Sequence, residues 1–406
     1  MLQLIFDIIF VVEKYFGRQC HCILLFAGLC MYSCSSLTVE KPVETNIEED
    51  WLFVGGDPAK SNISKSEAVF KFPLNLYWEF DTDAGLSKNC LSAADAVLFV
   101  STMKGECYGI DVTSGRSIGR LEMGSRASYS TPLILGNSVV LISTGNIDGR
   151  IFKASLQTGL VKWNRFVGFV ESSPVLYDND VFVCSTNGKV YRLSSQTGSI
   201  IWTSRAEKTG RSSAQFYTSP TISGGKLYAG AINGAMYCFN AKDGKSKWKF
   251  ETGGSIFADA TADSSRIYFG SDDLNFYCLD SSGNLVWKKD LGTKFLSAST
   301  FYKDQIITAG IDGKVYSINK NNGEVQWTFR TKGPISGTPL LHGDKIFIGS
   351  FDKKFYCLNA EDGSIVWSQM TEGRVRSSAV VWKDYVFVAG DDKYVYCFSN
   401  KVMKRE

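Results

Sequence analysis

Cysteine, histidine and paired aspartates are the side chains of this 406-residue chain that could build a catalytic or metal site. Eleven cysteines occur, but none are adjacent and no Cys-x-x-Cys pair is present, which argues against a metal cluster. The only histidines are His21 and His342, so histidine-based catalysis and a histidine-ligated metal are poorly supported. Asp272-Asp273 and Asp391-Asp392 fit turn-forming residues better than acid–base pairs.

The first 33 residues have the pattern of a secretory signal of the lipoprotein type. Lys14 and Arg18 precede an apolar run over residues 22–30, which is too short for a membrane-spanning helix. Cys34 follows a small residue after that run, as in a bacterial lipobox, although Tyr32 is atypical of such a box. We therefore expect Cys34 to be lipidated, with a plain cleaved signal or an uncleaved anchor as the alternatives. Acyl chains contribute about 0.8 kcal/mol per buried methylene, so they would hold the chain on a membrane.

A hairpin pattern that recurs about every 40 residues must position the remaining side chains. Each copy has an aromatic centre, and most continue with a turn glycine and a tryptophan on the return strand. The centres are Tyr108, Phe152, Tyr191, Tyr237, Tyr277, Tyr316, Tyr356 and Tyr396. The turn glycines are Gly115, Gly159, Gly198, Gly244, Gly283, Gly323 and Gly363, and the tryptophans are Trp163, Trp202, Trp248, Trp287, Trp327 and Trp367. Short strands with this period are typical of propeller blades.

The incomplete ends of the repeat predict how the ring closes. The last copy lacks a turn and a tryptophan strand, whereas residues 74–82 contain Trp78 without a hairpin before it. We predict an all-β, eight-bladed β-propeller of four-stranded antiparallel blades, closed by the strand at about 74–82, which completes the last blade. This pairing covers an edge that would otherwise invite aggregation. Gly119 stands where the first blade should carry tryptophan, so we expect looser packing there.

The predicted organisation has five segments. Residues 1–33 form the signal, 34–50 a polar and flexible tether, and 51–73 a lead-in that lies over one mouth or edge of the ring. Residues 74–399 form the propeller and residues 400–406 a C-terminal tail.

Candidate contact residues come from one insertion and from the inner strands. The 46-residue interval between Tyr191 and Tyr237 marks an insertion at 205–215, and loops longer than a repeat's standard length tend to carry function. The partner-binding candidates in it are Arg205, Lys208 and Arg211. Residues expected to line the channel, with no role assigned, are Arg126, Glu171, Gln215, Asp259, Lys294, Arg374 and Arg376. The 44 basic residues nearly balance the 41 acidic ones, which gives no electrostatic case for nucleic acid.

The hairpins 240–248 and 359–367 resemble the repeat of the pyrroloquinoline-quinone (PQQ) dehydrogenase propellers. Within that superfamily, eight blades behind a lipidated N-terminus are similar to the BamB lipoproteins of the outer-membrane β-barrel assembly machinery. The resemblance implies a non-catalytic scaffold without cofactor or metal. It would be lipid-anchored to the outer membrane on the periplasmic side rather than the cell surface. It would act as a monomeric propeller that binds assembly proteins or an unfolded β-barrel client.

Two alternatives remain open on the sequence. The first is a sensor propeller that binds a small molecule or a glycan in its central funnel. The second is a PQQ-dependent quinoprotein. Resemblance to those enzymes implies an adjacent Cys-Cys pair, a calcium site and a catalytic Asp, and the missing Cys pair disfavours it.

Overall fold

The computed structural model describes residues 39, 42–124, 127–144, 149–208 and 212–403, which form eight antiparallel sheets of four strands. Blades 1 to 4 comprise β2 (Leu91–Ala94), β3 (Val97–Ser101), β4 (Glu106–Asp111), β5 (Ser117–Glu122); β6 (Leu133–Ile134), β7 (Ser138–Thr144), β8 (Gly149–Ser155), β9 (Val161–Phe166); β10 (Val175–Tyr177), β11 (Asp180–Cys184), β12 (Lys189–Ser194), β13 (Ile200–Arg205); and β14 (Thr221–Ser223), β15 (Lys226–Gly230), β16 (Ala235–Asn240), β17 (Ser246–Glu251).

Blades 5 to 8 follow the same order from the inner to the outer strand. They comprise β18 (Thr261–Ala262), β19 (Arg266–Gly270), β20 (Asn275–Asp280), β21 (Leu285–Asp290); β22 (Thr300–Tyr302), β23 (Gln305–Ala309), β24 (Lys314–Asn319), β25 (Val325–Arg330); β26 (Leu340–His342), β27 (Lys345–Gly349), β28 (Lys354–Asn359), β29 (Ile365–Met370); and β30 (Val380–Trp382), β31 (Tyr385–Ala389), β32 (Tyr394–Ser399), with β1 (Asn75–Asp81) outermost. The predicted fold is confirmed. Among the described residues, no helix is long and apolar enough to cross a membrane.

Position in the blade decides the composition of each strand. The second and third strands are covered by the neighbouring blades on both faces, so strands such as β27 and β28 are buried along most of their length. The outer strands have one face in solvent, and β25 alternates between exposed and half-buried residues along its whole length. The core therefore lies between the blades, which are joined mainly by apolar contacts.

Outer-strand tryptophans connect most blades to the next one along the ring. Trp202 donates its indole N–H to the carbonyl oxygen of Ala241 in the next blade, at 3.2 Å. A Cβ on Gly244 would lie 2.7 Å from the Trp202 ring, and Gly244 has φ +73, so the turn residue must be glycine. Indole-to-carbonyl bonds to the next blade, 2.7 to 3.2 Å long, are also made by Trp78, Trp163, Trp248, Trp287 and Trp327.

The ring closes where the sequence predicted. β1 pairs antiparallel with β32, so that Trp78 faces Cys397 and Glu79 faces Tyr396. The hairpin missing from this blade is replaced by a contact between the chain ends. The Lys71 backbone N–H donates to the side-chain oxygen of Asn400 at 2.8 Å, and the Asn400 amide donates to the Lys71 carbonyl. Two hydrogen bonds therefore take the place of a covalent turn.

The joint between blades 1 and 2 lacks a tryptophan, because Gly119 occupies that position in β5. The carbonyl of Leu156, one residue after β8, matches the carbonyls that accept indole bonds in other blades. It accepts instead from the backbone N–H of Val39, at 3.1 Å. Val39 and Val43 are buried in one hydrophobic cluster with Leu156. A segment from outside the ring thus compensates for the contact that the missing side chain would make.

Candidate functional site

The lead-in closes one mouth of the central channel. Its backbone hydrogen-bonds to the inner strands of blades 1, 2, 4, 5 and 7, through pairs 2.7 to 2.9 Å apart: Trp51 with Ala93, Leu52 with Ile134, Pro58 with Ile222, Ala59 with Ala262, and Asn62 with Leu341. These bonds satisfy edge groups of the inner strands that would otherwise lack partners. The sequence predicts the lead-in over one mouth or edge of the ring, and its contacts here are with the inner strands that surround the channel.

A buried ion pair fixes the lead-in to the channel wall. Lys60 is fully buried, and its ammonium contacts the carboxylate of Asp259 at 2.5 Å and the carbonyl of Ser219 at 3.1 Å. Desolvation lowers the pKa of Lys60, and the negative charge of Asp259 opposes that shift. The other Asp259 oxygen accepts the Ser219 backbone N–H at 2.7 Å. The pair forms the polar floor of the channel.

Asp259 belongs to a layer of equivalent positions two residues before each inner strand. In three other places, the backbone N–H of one blade donates to a serine hydroxyl at this position in the next blade, at 2.9 Å: Thr131 to Ser173, Ser173 to Ser219, and Thr338 to Ser378. Aspartate at 259 accepts the same bond and has a second oxygen for Lys60. The aspartate at position 259, where other blades have serine, therefore anchors the lead-in.

Above this floor, a cavity of about 430 Å³ opens at the other mouth. Eight of its lining residues share one position, four residues before the inner strand of each blade. In blade order they are Ser87, Tyr129, Glu171, Tyr217, Phe257, Leu296, Ser336 and Arg376. Lys88, Asn89 and Met103 complete the lining. We call this cavity the funnel.

The polar residues of the funnel lie on blades 7, 8, 1 and 3. Lys88 extends from blade 1 and donates to the carbonyl of Leu296 at 2.5 Å. Burial lowers the pKa of Lys88, an effect that the charges of Asp259 and Glu171 oppose. Burial raises the pKa of Glu171 on blade 3, and the positive charge of Lys88 opposes that shift. Perturbed ionisable groups that converge in a cleft are typical of binding sites.

The apolar side of the funnel lies on blades 4, 5 and 6. Tyr217 and Phe257 pack together with their ring centroids 5.9 Å apart, and Leu296 continues the same surface. An aromatic pair beside cationic groups can hold an amphipathic ligand, because the rings contribute apolar area while charged groups fix its orientation.

The predicted channel-lining residues have different locations. Glu171 and Arg376 line the funnel, whereas Asp259 lies in the floor. Lys294 pairs with Asp272 at 3.1 Å, and Arg374 pairs with Asp391, so hairpin aspartates neutralise both cations. The Gln215 carbonyl accepts the Ile232 N–H. Arg126 lies outside the described residues.

One aspartate of each pair serves its turn, as predicted. Asp273 accepts the backbone N–H of Asn275 at 3.1 Å, and Asp392 accepts that of Tyr394 at 3.2 Å. Asp273 accepts the hydroxyl of Tyr277 at 2.6 Å, and Asp392 accepts that of Tyr396, while Asp272 and Asp391 form ion pairs. His342 is buried, and its Nε2 lies 2.6 Å from the carbonyl of Ala68 in the lead-in. Within the described residues, no cluster of three or more His, Cys, Asp or Glu could hold a metal ion.

The insertion 205–215 begins on the outer edge of blade 3. Arg205 ends β13 opposite Lys189, and its side chain is exposed. The carbonyl of Lys208 accepts the Lys249 ammonium at 3.1 Å, so the start of the insertion rests on blade 4. Arg211 and the expected lipidation site Cys34 lie outside the described residues. The structure thus locates two of the four predicted residues on its surface without joining them into a site.

The seven described cysteines are buried free thiols: Cys90, Cys107, Cys184, Cys238, Cys278, Cys357 and Cys397. Burial raises the pKa of Cys278 to about 12, which suits a space-filling residue. None of them lines the funnel, where Glu171 is the one carboxylate among the described lining residues. This lining does not fit the cysteine pair, calcium site and aspartate that resemblance to the quinoproteins implies.

Comparison with known proteins agrees with the repeat architecture. The chain is 24% identical over 246 residues to "Outer membrane protein assembly factor BamB" of Yersinia pestis, covering 57% of this chain and 61% of that protein. It is 28% identical over 180 residues to the protein of the same name from Alkalilimnicola ehrlichii, covering 42% and 46%. The chain therefore matches less than two thirds of the length of these relatives.

A solved structure titled "Europium-containing methanol dehydrogenase" superposes with a TM-score of 0.76 at 11% identity, over 87% of this chain and 98% of that one. At this identity the likeness concerns the fold alone. Residues 75–255, 251–340 and 312–402 match the profile of the family described as "Outer membrane protein assembly factor BamB". The match spans nearly the whole ring, and this chain belongs to that family.

Proposed function

We propose that this chain is a non-catalytic scaffold of the cell envelope that assists the assembly of outer-membrane β-barrel proteins. The family match over residues 75–402 is the observation that carries the proposal. A lipid on Cys34 would anchor the chain to the periplasmic side of the outer membrane. The proposed scaffold is a monomeric propeller that needs no cofactor.

The surface chemistry supports a protein-binding role. The described part of the insertion at 205–208 presents the exposed side chains of Arg205 and Lys208, which would meet an assembly partner together with Arg211. Exposed cations of this kind affect association rates and partner choice more than they affect affinity. The outer-strand tryptophans, which are buried or half-buried, serve blade packing.

Affinity purification from detergent-solubilised membranes, followed by mass spectrometry, tests the role. We expect β-barrel assembly proteins to co-purify with wild type and to be depleted with an Arg205→Glu, Lys208→Glu, Arg211→Glu variant. Lys242→Glu, Lys245→Glu, Lys247→Glu is the matched control on another blade. Recovery of assembly proteins at the same level with both variants would remove the insertion from the partner surface. Absence of these proteins from every sample would reject the scaffold role.

Metabolic labelling with palmitate tests the anchor separately. We expect label on wild type and on Cys30→Ser, a matched change in the same segment, and loss of label with Cys34→Ser. An unlabelled wild-type protein would contradict the lipoprotein proposal and leave the partner test intact.

A further inference from the structure

The funnel has three chemically distinct parts that no role in protein assembly requires. Lys88 and Arg376 come from the adjacent blades 1 and 8, Glu171 comes from blade 3, and the aromatic pair comes from blades 4 and 5. Arg376, Glu171 and the aromatic pair share the position four residues before an inner strand, and Lys88 lies one residue after that position in blade 1. The volume of about 430 Å³ lies within the range typical of small-molecule sites, about 300 to 1,000 Å³.

The two cations in the funnel differ from those at its rim. Lys294 and Arg374 are neutralised by aspartates, but Lys88 and Arg376 form no ion pair within the described part of the chain. Lys88 donates one N–H to Leu296, which leaves two donors for another acceptor. The Arg376 guanidinium lies 6.0 Å from the centre of the Phe351 ring, which restricts its orientation. Both side chains line the funnel and are suited to receive a carboxylate there.

The opposite charge has a single source. Glu171 is half-buried and has no ion-pair partner among the described residues, although it is close enough to Lys88 for their charges to interact. A carboxylate in this position can accept hydrogen bonds from an ammonium group. Tyr217, Phe257 and Leu296 offer the apolar surface on the third side.

We propose that the funnel binds a zwitterionic amino acid with a large apolar side chain. Arg376 and Lys88 would receive its carboxylate, Glu171 its ammonium group, and the Tyr217–Phe257 pair its side chain. The ligand would enter by the open mouth and rest above the floor formed by Lys60 and Asp259. This binding is independent of the proposed scaffold role.

Four probes separate the three contacts in calorimetric titrations of the purified protein. They are L-phenylalanine, 3-phenylpropionate, which lacks the ammonium group, phenethylamine, which lacks the carboxylate, and glycine, which lacks the side chain. We expect L-phenylalanine to bind at least about tenfold more tightly than each of the others. Two of the probes lack a charged hydrogen-bonding group, and glycine lacks the apolar side chain that the aromatic pair would bury. Equal affinity for all four probes, or no binding of L-phenylalanine, would overturn the proposal.

Two single variants assign the charges. Arg376→Gln should weaken L-phenylalanine and 3-phenylpropionate about tenfold while phenethylamine is unaffected, and Glu171→Gln should weaken L-phenylalanine and phenethylamine while 3-phenylpropionate is unaffected. Lys294→Gln, at a paired rim cation, is the matched control and should change none of them. Circular dichroism verifies that each variant is folded. If the two funnel variants affect all probes alike, Arg376 and Glu171 do not recognise the carboxylate and the ammonium group, and the proposal fails.

Discussion

Replacing Lys60 by methionine tests how the lead-in is held. The change keeps the length of the side chain and removes its ammonium group from a fully buried position. The Asp259 carboxylate would then retain the Ser219 N–H at 2.7 Å but lose its counter-charge at 2.5 Å. Removing one partner of a buried ion pair typically destabilises a protein by about 3–5 kcal/mol, because an uncompensated charge is left in the interior.

The ring predicts how this loss can be repaired. Three other blades use a serine hydroxyl at the position of Asp259, so Asp259→Ser restores the common hydrogen bond without a charge. The double variant Lys60→Met, Asp259→Ser should lie within about 1 kcal/mol of wild type, since exchanging both partners of a buried pair is often neutral. The two single variants should therefore show a coupling energy of several kcal/mol.

Thermal and urea unfolding followed by circular dichroism measure these differences. With about 2.1 cal/mol/K of unfolding entropy per residue, a ring of this size should lose about 5 °C in Tm for a loss of 4 kcal/mol. Lys65→Met is the control, because the Lys65 ammonium contacts a carbonyl at the protein surface. A Lys60→Met variant as stable as wild type, or a double variant as unstable as the sum of the singles, would refute the reasoning.

Three further changes test other joints. Val39→Pro removes the N–H that bonds to the Leu156 carbonyl and should cost about 1 kcal/mol and increase hydrogen exchange in β8, whereas Val39→Ala, which keeps the N–H, should leave that exchange low. Gly244→Ala should cost over about 2 kcal/mol in urea unfolding, since its Cβ would meet an indole ring, while Gly224→Ala, where no atom lies within 4 Å, should cost about 1; equal losses would show that backbone strain alone matters. Burial lowers the pKa of His342, so the unfolded chain binds a proton first, and stability should fall as the pH drops below about 6.5 towards the lowered folded value. His342→Leu should flatten this part of the pH–stability curve, and an unchanged slope would contradict the assignment.

The blade count and the ring closure could be predicted because each depends on a local pattern. An aromatic centre, a turn glycine and a tryptophan recur in order, and the unpaired Trp78 strand matches the unpaired Tyr396 strand. These elements pack through side chains that the repeat itself contains. The funnel follows the same register, yet the predicted channel-lining residues include only Glu171 and Arg376 of its lining and omit Lys88. The aromatic and serine residues of the funnel are found only when the position four residues before each inner strand is compared across the blades.

The contacts made by the N-terminal segments could not be predicted in the same way. Lys60 lies in a short polar stretch with no periodic pattern, and its backbone has φ 55, which propensity does not anticipate for lysine. Its partner Asp259 is 199 residues away in sequence. The bond of Val39 is made by a backbone N–H, which every residue type except proline supplies. Gly119 reveals that a side chain is missing and carries no information about what replaces it.

The floor formed by the lead-in also determines whether a molecule can pass along the propeller axis. A polypeptide threading along the axis would have to expel Lys60 and break the backbone bonds that join the lead-in to five blades. The central channel is therefore closed at one end and open only at the funnel. A solute in the funnel therefore enters and leaves by the same mouth, and a polypeptide does not pass through the ring while the lead-in is in place.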